Sequence, residues 1–64
     1  MPERFVLRGH FTEMLQAART AADKYDRLAR TAESPAAREQ LQRLARDESR
    51  HVELAERLLE ILSE

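Results

Sequence analysis

The chain has 64 residues, no cysteine, and twelve acidic against eleven basic side chains, for a net charge of −1. That length excludes more than one small domain, and the lack of cysteine excludes disulfides and thiolate metal sites. The charge balance offers no basic surplus for nucleic acid or an anionic membrane, and the Ala- and Leu-rich apolar fraction of 42%, with one glycine and two prolines, is that of long helices rather than sheet.

So short a chain without disulfides needs a bound metal, a partner chain or both to be stable. No apolar run reaches membrane-spanning length, and residues 1–9 lack the apolar core and small-residue cleavage site of a signal peptide. A cytoplasmic location is therefore expected, with neither membrane nor nucleic acid as partner.

Residues 1–9 read as an N-terminal arm, strand-like or an early helical turn, because Phe5-Val6-Leu7 is apolar while Gly9 lowers helix propensity where a long helix would begin. From His10 the apolar positions Phe11, Met14, Ala18, Ala21, Tyr25, Leu28 and Ala32 recur in steps of 3 and 4, and Leu15, Ala22 and Ala29 widen the stripe. This predicts an amphipathic helix over 10–33. Gln16, Arg19, Asp23 and Arg27 form its solvated face, where Asp23/Arg27 and Asp26/Arg30 stand one turn apart.

Ser34-Pro35 breaks the pattern. Serine is a favoured N-cap, proline at the first helical position sacrifices no hydrogen bond, and the residue before proline is pushed away from helical angles. A second helix is predicted over 34–62, antiparallel to the first because the connection is short. Its stripe is Ala37, Leu41, Leu44, Glu48, His51, Ala55, Leu58 and Leu62, flanked by Ala45, Val52 and Leu59. The fold class is thus all-α, an antiparallel two-helix hairpin forming a single domain.

Glu48 and His51 are the two non-aliphatic members of that second stripe, and they sit in its middle. A glutamate and a histidine three apart on a helix lie about 5–6 Å apart at Cβ, close enough to reach one metal ion. Burial of such a pair calls for compensation, since an unpaired buried polar group costs about 1–3 kcal/mol. The pair could bond to itself with His51 protonated, bond to Tyr25, or coordinate a cation. A turn near residue 33 sets Ala18 opposite Glu48, and the small residues Ala18, Ala21 and Ala22 leave room beside the carboxylate. His10, near the helix start, fits a solvated or capping role.

Tyr25 on the first helix, the Ser34-Pro35 turn, and Leu44-Ala45-Arg46-Asp47-Glu48-Ser49-Arg50-His51 on the second resemble one helical hairpin of the ferritin-like superfamily, particularly rubrerythrins, bacterioferritins and short encapsulated ferritins. The resemblance covers about residues 11 to 60. Four-helix members of this superfamily hold two metals with a lone Glu from one helix and a Glu-x-x-His from the next of each hairpin. It therefore implies dimerisation into a four-helix bundle, metal at Glu48 and His51 (iron, with manganese or zinc as alternatives), Tyr25 near the site, and a ferroxidase or rubrerythrin-like oxidoreductase activity. The departure falls at Ala18, where the family has its first-helix glutamate, seven residues before the tyrosine.

Two readings of function follow. In one, a homodimer or larger homo-oligomer holds a divalent transition metal through Glu48 and His51. In the other, the hairpin is a metal-free structural or interaction module whose Glu/His pair sets bundle register.

Overall fold

A computed structural model describes residues 3–64. It has two helices, α1 (Glu3–Thr31) and α2 (Pro35–Leu62), packed on each other as a hairpin. Met1 and Pro2 of the expected arm lie outside the described residues. From Glu3 onward the arm is helical, the second of its two expected forms: α1 begins seven residues earlier than the apolar rhythm indicates and ends at Thr31 rather than residue 33. Gly9 lies within α1 with open space where a Cβ would stand. Its cost of about 1 kcal/mol relative to alanine does not end the helix, because extending a formed helix adds one hydrogen bond per residue fixed.

The turn is built by its own side chains. The Ser34 Oγ accepts from the Ala37 N–H at 3.3 Å, the Arg38 N–H donates to the Ser34 carbonyl at 2.9 Å, and Pro35 fills the first turn of α2. The Arg38 guanidinium reaches back to donate to the Ala32 carbonyl at 2.9 Å, satisfying an acceptor that the end of α1 leaves open. Because Ser34 supplies the N-cap bond, Ser34→Ala is expected to destabilise the fold by about 1 kcal/mol in urea denaturation. An unchanged denaturation midpoint would show that the cap contributes nothing.

The hairpin seam is rotated from the predicted stripes. On α1 the residues turned toward α2 are Phe11, Leu15, Ala18, Ala22, Tyr25 and Ala29; on α2 they are Leu41, Ala45, Glu48, Val52, Ala55 and Leu59. Leu15, Ala22 and Ala29, read as flanking positions, are thus central. Met14 and Leu28 on α1, and Leu44, His51 and Leu58 on α2, are exposed instead. The apolar arc of each helix is wider than one neighbour covers, so its centre points between α1–α2 contact and open solvent.

Burial is correspondingly slight. Leu15, Ala18, Ala29 and Ala55 are the buried apolar residues. One leucine and three alanines are a small core against an ordering cost of about 1–2 kcal/mol per residue. The Cα trace measures 50 × 15 × 11 Å, a single layer two helices wide, whereas domains are ordinarily built from two or more packed layers.

The two faces of that layer differ in chemistry. One carries Thr12, Arg19, Asp26, Gln42, Ser49 and Glu56, and there the Arg19 guanidinium donates to the Glu56 carboxylate across the helices at 2.9 Å. The other carries Leu7, Met14 and Leu28 of α1 with Leu44, Leu54, Leu58 and Ile61 of α2, seven of the nine exposed large apolar side chains among the described residues. Asp23–Arg27 and Asp26–Arg30 pair one turn apart on the outside of α1, as their spacing predicts. No described helix is long and apolar enough to cross a membrane.

Candidate metal centre

Glu48 and His51 lie at mid-length of α2, on the edge where the hairpin seam meets the apolar face. Glu48 Oε1 and His51 Nδ1 are 3.6 Å apart, too long for a hydrogen bond and an ion pair only when the imidazole is protonated. The Glu48 side chain is 26% exposed and that of His51 57%. The expectation of a buried polar pair is therefore corrected for the single hairpin: the carboxylate is half-sheltered and the imidazole points outward.

Both side chains line one shallow groove with Met14, Ala17, Ala18 and Ala21 of α1 and Ala55 of α2. Ala18 thus stands beside Glu48, as the turn position predicts, and the run of alanines keeps that side of the groove free of large side chains. Tyr25 lines a neighbouring groove with Gln16, Ala17, Thr20, Ala21 and Lys24. The two grooves share Ala17 and Ala21, which places Tyr25 next to the site and outside its lining. His10 and Glu13 are exposed on α1.

The Asp47 carboxylate, one residue before Glu48 and not singled out by the apolar rhythm, accepts from the Arg50 guanidinium at 3.2 Å and is half-exposed. Its sequence signal is its place on the outer edge of the same apolar face, between Leu44 and Leu54. Along α2, two rows are apolar on either side of a polar centre, Leu41–Glu48–Ala55 and Leu44–His51–Leu58, whereas the outer row runs from polar to apolar, Gln40 and Asp47 before Leu54 and Ile61.

One hairpin does not supply enough donors for a tightly held ion. No three or more Asp, Glu or His side chains that could hold a metal come together among the described residues. A tetrahedral zinc site needs about four protein or water ligands, and a dinuclear carboxylate site more. Comparison of the chain with protein-family models, with curated proteins and with solved structures finds no match.

Proposed function

We propose that the hairpin associates with a second copy through its apolar face, closing a homodimeric four-helix bundle, and that the doubled Glu48–His51 pair holds a divalent transition metal. The observation that carries this reading is the placement of Glu48 and His51 at mid-length of α2, on the edge of a face whose Met14, Leu28, Leu44 and Leu58 the hairpin leaves uncovered. Large apolar patches on small proteins mark interfaces. A two-fold stacking of two such faces buries both and brings two carboxylates and two imidazoles together. Four donors of oxygen and nitrogen type suit one zinc, or one or two iron or manganese ions completed by water. The resemblance to ferritin-like hairpins supports iron among these. Ala18 in place of a first-helix carboxylate leaves the set short of the six protein ligands that hold a dinuclear iron pair, so metal binding rather than iron oxidation is the function proposed.

Elemental analysis of protein purified without chelator tests this. The native chain is expected to carry at least one ion per two chains, and the Glu48→Ala/His51→Ala variant to carry almost none. Equal and negligible metal in both would remove the metal from this reading. A second reading, in which the pair only sets the register of a metal-free bundle, draws on the direct approach of Glu48 to His51.

A further inference from the structure

The groove at mid-length of the hairpin holds a donor that the Glu-x-x-His spacing does not include. Met14 of α1 lines it together with Glu48 and His51 of α2. The chain has two methionines and no cysteine, and Met14 is the one sulfur among the described residues. It stands in the same groove as one of the two histidines.

The surroundings leave both donors free to act. Met14 is 57% exposed although it is apolar. The remaining lining of the groove, Ala17, Ala18, Ala21 and Ala55, brings no polar side-chain atom and no bulk to hold sulfur and imidazole apart. A methionine side chain turns about three bonds, so its sulfur adapts to a partner without disturbing the backbone. On α2, the His51 nitrogen that the Glu48 carboxylate approaches is Nδ1, at 3.6 Å. Nε2 is thereby the nitrogen left for an ion, and Glu48 lies where a carboxylate orients a metal-bound imidazole.

A thioether changes which ion this groove suits. Carboxylate and water oxygens favour hard divalent ions, imidazole serves many metals, and thioether sulfur selects copper(I). Coordination number points the same way. Zinc and its divalent neighbours need more donors than the described residues of one hairpin bring together, whereas copper(I), a closed-shell ion of single charge, is satisfied by linear or trigonal coordination. A single charge also gives up less hydration on entering a groove walled by alanine.

We infer that the groove takes copper(I) between the Met14 sulfur and His51 Nε2, one ion per chain, with Glu48 as the positioning carboxylate. This rests on the metal-binding reading of His51 but needs no ligand from the second copy. It differs from the doubled oxygen and nitrogen set in the softness of the ion, in stoichiometry and in drawing a ligand from α1.

Anaerobic titration of the whole chain with copper(I), in competition with a chromophoric copper(I) chelator, tests this beside a parallel titration with zinc. Native protein is expected to bind one copper(I) per chain, and X-ray absorption at the copper edge to show a sulfur neighbour. Met14→Leu keeps the volume and apolarity of the side chain and so leaves fold and association in place. It is expected to lose the sulfur neighbour and to weaken copper(I) by about tenfold or more, with zinc affinity unchanged. Zinc bound without copper(I), or copper(I) bound equally by the two proteins or without sulfur, overturns the thioether site and leaves metal binding at Glu48 and His51 standing. Failure of both ions to bind overturns both readings.

Discussion

Aspartate at both Leu44 and Leu58 is expected to abolish self-association and, with it, most of the cooperative helical structure. These leucines flank His51 one heptad away on either side, exposed in the hairpin by 42% and 38%. Each buries in the proposed bundle, and burying a leucine is worth about 1.5–3 kcal/mol. Only about 40% of each remains to be buried, so a dimer's four leucines put roughly 2–5 kcal/mol of association free energy at stake, about two to four orders of magnitude in Kd. The aspartates add uncompensated charge to an interface that would have to desolvate it.

The loss should reach the fold as well as the assembly, because the hairpin by itself buries one leucine and three alanines. Sedimentation equilibrium and circular dichroism read both effects. The native protein should melt at a temperature that rises with concentration, as mass action requires of a dimer. Thr12→Asp, on the polar face of the layer, should leave mass and melting unchanged. If the Leu44/Leu58 variant keeps the native mass and melting curve, the apolar face is not the interface.

The second large effect is expected at the polar centre. Glu48→Leu combined with His51→Leu should give a folded dimer that binds no metal and, compared with native protein stripped by chelator, is more stable by about 1–4 kcal/mol. The physical reason is that a well-packed apolar pair commonly outperforms a buried ionic pair of similar volume, because taking charge out of water is costly. Chelator separates the two readings of the pair. In the metal-binding reading, removing metal from native protein loses linkage stabilisation of about 2.7 kcal/mol at a ligand concentration a hundred times Kd, a fall in Tm of about 10 °C or more for so small a domain. The leucine variant should not respond to chelator. A native protein equally indifferent would favour the register reading, and a variant that fails to fold with or without metal would count against it.

The helices, their solvated pairs and the turn were legible in the residues because each is a local effect. Asp23 and Arg27 are one turn apart whatever the helix packs against, and Ser34 caps α2 through an N–H three residues away. The N-terminal arm was not legible, since the helix penalty of Gly9 weighs the same in either conformation and only the helix propagating through it decides the outcome. Glu48 and His51 were found as exceptions in an apolar stripe, and the groove they share with Ala18 follows from the turn position. That His51 faces out while Val52 faces in was not available from that stripe. Arg19 is exposed, as its place on a solvated face requires, but its bridge to Glu56, thirty-seven residues away, was not available from the sequence, because pairing across a hairpin depends on the rotation of both helices.

By itself, then, the sequence determined two amphipathic helices, their antiparallel connection at Ser34-Pro35, and a Glu-x-x-His at the centre of an apolar arc, since period, cap and spacing are properties of a single helix. Only the tertiary structure decided which part of each arc closes the hairpin and which remains open. A hydrophobic period fixes the centre and width of an apolar arc but says nothing of how many neighbours share it. Once α1 and α2 have covered one edge of each other's arcs, the other edge, with Glu48, His51 and Asp47 at its middle, is what the fold leaves uncovered.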